Sequence, residues 1–138
     1  MRESEDYFGE NNRYVKELVP KNFDSTSPWK IKELPNNKKV NGLVLFYAPW
    51  CGHCKAVKDE WLKAAKTSGF CDFYAFNCEK NKEHMMKIKE DMPKLIDGFP
   101  SIIIYKDGSP DDWYNGGRTA EELIASCMTI CAGGKCGK

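Results

Sequence analysis

Two cysteines separated by two residues form the part of the sequence with the clearest chemical potential. The segment Cys51–Cys54 reads Cys-Gly-His-Cys and directly follows an apolar stretch that ends at Trp50. If a helix begins at the first cysteine, the second sulfur lies about one turn further on. The two thiols are then close enough to form a disulfide, or to release a mixed disulfide formed with another protein.

The change of pattern at this motif predicts which of the two thiols reacts. Leu43–Tyr47 is a continuous apolar run of strand length. After Cys51, in contrast, the apolar residues recur at the spacing of a helix. A helix N-terminus carries unpaired N–H groups and partial positive charge, which stabilise a thiolate, and a protonated His53 adds to that effect. We therefore predict that Cys51 is the exposed nucleophile and Cys54 the resolving thiol.

The alternative for the motif is half of a zinc site, because two cysteines at this spacing also chelate zinc. Such a site needs two more ligands, and the sequence has no second Cys-x-x-Cys. The remaining candidate ligands could reach the motif only if the chain folded back: His84, Cys71, Cys78, Cys127, Cys131 and Cys136. The sequence therefore favours redox chemistry, and we expect neither a bound metal nor a cofactor.

Length and charge exclude several classes of protein. The chain has 138 residues, enough for one domain with its own core. It carries 21 basic and 20 acidic residues and a net charge of +1. This balance gives no electrostatic reason to bind nucleic acid or an anionic membrane. The longest apolar runs are also far below the roughly 20 residues that a transmembrane helix needs.

Neither end of the sequence carries a recognisable targeting signal. Residues 2–6 are polar and mostly charged, without the apolar segment of a signal peptide, and the last six residues are not a lumenal retention signal. These features favour a cytoplasmic or virus-encoded stand-alone form. A signal that has been removed would instead allow the lumen of the endoplasmic reticulum, which is the alternative.

The pattern along the chain predicts a mixed α/β domain in the order β-α-β-α-β-α-β-β-α. We expect a flexible tail over residues 1–13, the domain over 14–132 and a second tail over 133–138. The expected elements are a strand at 14–18, a short helix at 30–34, a strand at 43–47, a helix from Cys51 closed by Gly69, a strand at 70–76, a helix at 79–90, strands at 101–105 and near 112–114, and a last helix opened by a capping box at Thr119.

The segment Phe46–Lys55, Phe-Tyr-Ala-Pro-Trp-Cys-Gly-His-Cys-Lys, resembles the active-site segment of protein disulfide isomerase catalytic domains. The similarity continues in order through Val15–Leu18, Asn22–Asp24, Gly98–Ser101 and Tyr114–Arg118. The resemblance implies a thioredoxin fold, with a central mixed β-sheet flanked by helices. It also implies a thiol–disulfide oxidoreductase or isomerase that acts on cysteine-containing proteins, with glutathione or another oxidoreductase as redox partner. We expect a monomer.

The resemblance also implies roles for residues outside the motif. A cis peptide bond is expected between Phe99 and Pro100, opposite the cysteines, where the alternative is a proline that merely begins a strand. Trp50 and Phe99 would flank an apolar surface for substrate, with Gly52 leaving room for its approach, whereas Trp50 could instead be ordinary core. Arg118 would approach the resolving cysteine and lower its pKa, or could simply be a solvated cation at a helix start.

The sequence departs from this family at one pair of positions. The glutamate that usually lies buried near the resolving cysteine is replaced by Leu45, and its usual lysine partner maps to about Ala75. Proton transfer to and from Cys54 must then use water, a substrate group or another side chain. Two alternatives to the isomerase follow: a thioredoxin-like reductase, and a substrate-binding module that turns over poorly.

Five cysteines lie outside the motif, and the total of seven is odd. Cys127 and Cys131 lie one turn apart on the last predicted helix, with Cys136 shortly after. They could form a secondary disulfide or a regulatory pair, but we favour two partly buried helix residues and an exposed tail thiol. Cys71 and Cys78 bracket a strand of about 20 Å, too long for them to bond each other.

Overall fold

A five-stranded sheet in the order β1-β3-β2-β4-β5 forms the centre of the protein, for which the computed structural model describes residues 7–132. β3 is parallel to both β1 and β2, whereas β4 is antiparallel to β2 and to β5. This arrangement confirms the expected thioredoxin fold. The elements are β1 (Val15–Leu18), β2 (Gly42–Tyr47), α1 (Gly52–Thr67), β3 (Phe73–Asn77), α2 (Lys82–Asp91), β4 (Ser101–Lys106), β5 (Ser109–Trp113) and α3 (Ala120–Ile130).

Strand β2 lies in the middle of the sheet, and all six of its residues are buried. This is the burial expected of an apolar strand that is covered on both faces. Its carboxyl end at Tyr47 lies beside the carboxyl end of β3 at Asn77, because the two strands are parallel and in register there. The turn that follows β2 therefore begins α1 at this edge of the sheet.

The helices cover the sheet from both sides. One face packs against α1 and α3, where Trp61 is fully buried with its ring edge-on to Phe73 at 5.4 Å between centroids. The opposite face packs against α2 through Ile88. Glu60 of α1 accepts a hydrogen bond at 2.6 Å from the backbone N–H of Ala120, which fixes the start of α3 against α1.

Within the part of the chain that is described, no helix combines the length and hydrophobicity that crossing a bilayer requires.

The domain begins earlier than the sequence predicts. Tyr7 and Phe8, which were expected in a loose tail, are buried in the core. The Tyr7 ring stacks on the ring of Tyr47 at 4.3 Å, and Phe8 meets Tyr47 edge-on at 5.7 Å. The expected tail is therefore wrong for these two residues, because their aromatic surface is buried by the end of β2. Residues 1–6 and the expected tail at 133–138 lie outside the described residues.

The segment between β1 and β2 also differs from the prediction. No helix forms at residues 30–34. Ile31 instead pairs with Phe23 in an antiparallel bridge and donates its N–H to the carbonyl of Gly108 at 2.8 Å. Short 3-10 turns occur at Pro20–Asn22 and Pro35–Asn37, each beginning at a proline. The apolar residues of this segment are thus used in contacts with a distant turn rather than in a local helix.

Other element boundaries shift by a few residues. α1 ends with Ser68 as its C-cap rather than at Gly69, and β3 begins at Phe73 rather than at residue 70. α2 begins at Lys82 rather than at residue 79, since the side chain of Asn77 accepts the backbone N–H groups of the next turn. The capping box at Thr119 is confirmed.

We predict that Gly108→Ala destabilises the fold by more than about 1 kcal/mol. Gly108 has a φ of +85°, and a Cβ there would lie 2.3 Å from the carbonyl oxygen of Ile31. Gly69→Ala is the matched control, because a Cβ there meets nothing within 4 Å. Its effect should stay within about 0.5 kcal/mol. Chemical denaturation of both variants measures the difference, and equal stabilities would contradict the prediction.

Candidate active site

Cys51 is the N-cap of α1. A turn after β2, in which the Cys51 N–H donates to the carbonyl of Ala48 at 3.0 Å, brings the chain into the helix. The Sγ of Cys51 accepts the backbone N–H of Cys54 at 3.2 Å. The sulfur thus occupies the place where a helix N-terminus offers an unpaired donor, and a thiolate there would be stabilised by that donor and by the helix dipole.

The two sulfurs differ in accessibility. Cys51 is buried rather than exposed as predicted, with 7% of its surface accessible, whereas Cys54 is 0% exposed and lies behind it in the core. Gly52 and His53 are both exposed, and a Cβ at Gly52 would meet nothing within 4 Å. A substrate disulfide approaching this end of the helix therefore meets Cys51 first.

Burial raises the pKa of Cys54 to about 12, and the hydrogen bond with Cys51 acts in the same direction. A backbone hydrogen bond at Ala48 and the positive charge of Arg118 oppose this shift but do not overcome it. Arg118 is exposed, and its charge acts on Cys54 in the direction that the family resemblance implies. Cys54 is therefore a thiol near neutral pH and must lose its proton before it can attack.

The surface beneath the motif is apolar. Leu45 and Ala75 face each other in register across β2 and β3, and both are fully buried in the same cluster as Cys54. Within residues 7–132, Asp72 is the only buried carboxylate. It precedes β3, while the active-site edge is at Asn77, about 17 Å away along the strand. No buried acid among the described residues can therefore take the Cys54 proton directly.

An aromatic surface adjoins the motif. Trp50 is 62% exposed, so the alternative of ordinary core packing is wrong for it. Its ring meets the ring of Phe99 edge-on at 5.9 Å between centroids. The peptide bond between Phe99 and Pro100 is cis, as expected, and the Phe99 carbonyl accepts a hydrogen bond from the Cys51 thiol at 3.4 Å. Backbone and ring atoms of Phe99 thus lie beside the more accessible sulfur.

Two polar contacts near the site were not predicted. The indole N–H of Trp50 donates to Glu79 at 2.9 Å, which holds the exposed ring and lowers the pKa of Glu79. The hydroxyl of Tyr47 donates to Glu17 at 2.6 Å, and burial together with the Glu17 charge raises the pKa of Tyr47. The partners are 29 and 30 residues apart in the chain. No local pattern in the sequence could have indicated them.

Metal-type ligands do not converge on the motif in the part of the chain described here. Three sulfurs do approach one another elsewhere, at Cys71, Cys127 and Cys131. Cys71 and Cys78 are both in the thiol form, in agreement with the expectation that they are too far apart to bond. Cys127 and Cys131 are fully buried rather than partly buried. Cys131 is also disulfide-bonded, so the favoured interpretation of two helix residues outside any disulfide is wrong for it, whereas Cys127 is a thiol. Cys136 lies outside the described residues.

A family model described as Thioredoxin matches residues 15–129. The chain belongs to the thioredoxin family. Among curated relatives of this thioredoxin-family chain, the protein disulfide-isomerase MPD1 of Saccharomyces cerevisiae is 35% identical over 100 residues, which is 72% of this chain and 28% of the relative. A putative protein disulfide-isomerase of Dictyostelium discoideum is 34% identical over 84% of this chain and 27% of its own length.

Solved structures give the same result. The J-Trx1 fragment of ERdj5 superposes with a TM-score of 0.62 at 26% identity, covering 84% of this chain and 51% of that one. The first thioredoxin domain of mouse protein disulfide-isomerase A4 gives 0.52 at 33% identity, covering 67% and 64%. The resemblance to protein disulfide isomerase domains is therefore confirmed, and it supports thiol–disulfide oxidoreductase activity.

The thioredoxin-family chain spans about 28% of the length of the first of these curated relatives. The activities of those longer proteins therefore apply to it only as proposals.

We predict that Cys54→Ser accumulates mixed disulfides with protein substrates, whereas Cys51→Ser traps none. The reason is that Cys51 is the more accessible sulfur at the helix N-terminus, while Cys54 lies behind it. Non-reducing electrophoresis after acid quenching, followed by mass mapping of the linked cysteine, measures the adducts. Cys78→Ser, a buried thiol outside the motif, is the control and should behave as wild type. Equal trapping by the two motif variants would refute the order of attack.

Proposed function

We propose that this chain is a thiol–disulfide oxidoreductase and isomerase of protein cysteines, acting through Cys51 and Cys54. The observation that carries the proposal is the position of the Cys51 sulfur, which caps α1 and accepts the Cys54 N–H at 3.2 Å. A thiolate formed there is stabilised before substrate arrives. In the first step it attacks one sulfur of a substrate disulfide, so that a mixed disulfide forms and a substrate thiolate leaves.

In the second step the Cys54 thiol loses its proton and attacks the Cys51 sulfur of the mixed disulfide. This releases the second substrate sulfur as a thiol and leaves Cys51 and Cys54 joined, with two electrons passed to the substrate. The reverse sequence donates a disulfide. Isomerisation uses the first step alone, if a second substrate thiol attacks before Cys54 does.

The substrate surface in this proposal is the aromatic edge formed by Trp50 and Phe99, together with the backbone of Pro100. An exposed indole beside an apolar ring can cover a hydrophobic side chain next to the substrate cysteine, and the neighbouring backbone can pair with an extended peptide. Gly52 leaves the approach to Cys51 open. The features recognised here are common to unfolded chains, which supports protein substrates rather than a single small molecule.

The direction of exchange depends on the relative stability of the dithiol and disulfide forms. His53 is exposed next to Cys51, where a positive charge favours the reduced, thiolate form and makes the disulfide more oxidising. Reduction potentials are about −180 mV for protein disulfide isomerase and about −270 mV for thioredoxin. We therefore place this chain toward the oxidising end, as an isomerase rather than a dedicated reductase.

The apolar side chains of Leu45 and Ala75, buried beneath Cys54, favour a second candidate function. In that function the chain is a substrate-binding module that turns over slowly. With the pKa of Cys54 raised to about 12 and no buried acid nearby, resolution is the slow step. Slow resolution would lengthen the life of the mixed disulfide. Isomerisation tolerates this delay better than oxidation or reduction does, because isomerisation does not require Cys54 to attack.

The compartment and the assembly state stay predictions. Similarity to protein disulfide isomerases favours the secretory lumen, the alternative to the cytoplasmic or virus-encoded form. We propose that the chain works as a monomer with glutathione or another oxidoreductase as its redox partner.

We predict that the chain restores activity to a scrambled, disulfide-containing protein in a glutathione buffer, faster than it reduces insulin with dithiothreitol. A double Cys51→Ser, Cys54→Ser variant is the blank for both assays. Loss of both activities in the wild type would leave only a binding module, and insulin reduction without refolding would make the chain a reductase.

The proposed role of His53 predicts a measurable change in the reduction potential of the Cys51–Cys54 disulfide. His53→Pro should make the potential more negative, by about 30 mV for each tenfold change in the equilibrium constant with glutathione. His53→Lys, which places a permanent cation at the same position, is the matched control and should not make the potential more negative. Equal shifts in the two variants would mean that a positive charge at position 53 does not set the potential.

We predict that Leu45→Glu accelerates resolution near neutral pH, because it restores a proton acceptor beneath Cys54. In the wild type the Cys54 pKa lies far above neutrality, so the thiolate fraction and the resolution rate should rise about tenfold per pH unit. In Leu45→Glu this slope should flatten. Stopped-flow mixing with a disulfide peptide separates the fast attack by Cys51 from resolution.

Leu45→Gln is the matched control, because glutamine has nearly the same shape as glutamate but cannot accept a proton near neutral pH. Both variants should lose about 1–3 kcal/mol of stability, since each buries a polar group with incomplete partners. If resolution is equally fast in wild type, Leu45→Glu and Leu45→Gln, another group carries the proton.

A further inference from the structure

A second group of sulfurs lies away from the active site, between the end of α3 and the segment before β3. Cys71 lies just before β3, Cys127 lies in α3, and Cys131 is the C-cap of that helix. The three sulfurs are all within 4.8 Å of one another, and each residue is fully buried. We call this group the α3 cysteine cluster.

The spacing of the sulfurs suits metal coordination. The Sγ atoms of Cys127 and Cys131 are 3.9 Å apart, in contact but not bonded, since a disulfide needs about 2.05 Å. In a tetrahedral zinc site with Zn–S bonds of about 2.3 Å, two sulfurs lie about 3.8 Å apart. The Cys127 and Cys131 sulfurs therefore have close to the separation that shared metal ligands require, and the Cys71 sulfur, from another segment of the chain, lies within 4.8 Å of both.

The surroundings of the cluster favour a cation. The helix dipole places partial negative charge at the C-terminal end of α3, where Cys127 and Cys131 lie. Three thiolates add further negative charge, which a divalent ion would offset. Beside the cluster, Asp72 pairs with Lys38, whose charge balances the carboxylate. Gly42 adjoins the cluster, since a Cβ there would be in ordinary van der Waals contact with the Cys127 sulfur, at 3.8 Å.

The oxidation state of Cys131 decides whether the site is available. Cys131 is disulfide-bonded in this structure, whereas Cys71 and Cys127 are thiols. A dithiol reductant can pass two electrons to the Cys131 disulfide, leaving two protein thiols while the reductant becomes a disulfide. Binding of an ion to the three cluster thiols then releases their three protons.

We propose that the α3 cysteine cluster binds one thiophilic d10 metal ion, of the Zn²⁺ class, once the Cys131 disulfide has been reduced. Soft thiolate ligands select ions of this class over Mg²⁺ or Ca²⁺. The bound ion joins the end of α3 to the segment before β3 and stabilises the reduced fold. When the disulfide form of a dithiol accepts two electrons from the protein thiols, the Cys131 disulfide forms again, one ligand is lost and the ion is released. The site is independent of the active-site chemistry proposed above.

The test uses the full chain carrying Cys51→Ser and Cys54→Ser, so that the active-site dithiol cannot bind metal. The protein is reduced with a phosphine, desalted without oxygen and titrated with Zn²⁺ against a chromophoric chelator. Cd²⁺ is titrated in parallel, and its thiolate charge-transfer absorption reports sulfur coordination. We expect one ion per reduced chain, a higher melting temperature with zinc, and no binding by the oxidised chain.

Cys127→Ala, made in the same background, should weaken zinc binding by at least about 100-fold, because it removes a ligand. Cys78→Ala is the matched control: Cys78 is equally buried but is not a member of the cluster, so binding should be unchanged. If Cys127→Ala fails to fold, alkylation of the unaltered cluster gives the answer. Zinc should then protect Cys71 and Cys127 from alkylation, but not Cys78.

Three results would overturn the proposal: no zinc bound by the reduced chain, zinc bound as tightly after Cys127→Ala, or equal binding by the oxidised chain. None of them depends on whether the protein exchanges disulfides, because the active-site cysteines are absent from the test. Conversely, loss of refolding activity in the wild type would leave the metal site unaffected.

Discussion

The hydrogen bond from the Cys54 backbone to the Cys51 sulfur is the contact on which the active site depends. It exists because α1 begins at the point where β2 ends, so that the first cysteine falls at the N-cap. The position of that junction is in turn fixed by β2, whose six residues are all buried in the middle of the sheet. A shift of one residue in β2 would turn its buried side chains to the opposite face and move the thiol away from the helix start.

The same packing that places the two sulfurs also makes them unequal. Cys51 lies at the start of α1, beside Trp50 and the Phe99 carbonyl, whereas Cys54 is fully buried in the apolar cluster that contains Leu45 and Ala75. Burial that stabilises the fold therefore opposes ionisation of the resolving thiol. The exchange chemistry is thus divided between a sulfur that a substrate reaches first and one that must lose its proton before it can attack.

Local patterns predicted β2, the helix start at the motif and the capping box at Thr119, since each depends on residues close together in sequence. The cis bond before Pro100 followed from resemblance rather than from spacing. Contacts between distant segments could not be predicted, as with Glu79 holding Trp50 or Ile31 bonding to the turn at Gly108. A short apolar run such as residues 30–34 is ambiguous alone, and its partner 77 residues away decides its structure.

The burial of Tyr7 has a consequence for the smallest unit that can fold. Its ring covers one face of Tyr47, and Phe8 closes the edge of the same ring. A chain trimmed to start at the first strand would expose this aromatic surface to water, next to the Tyr47 hydroxyl that donates to Glu17. Exposed aromatic rings at that edge would favour self-association of the protein. The packed core of this protein therefore begins no later than Tyr7.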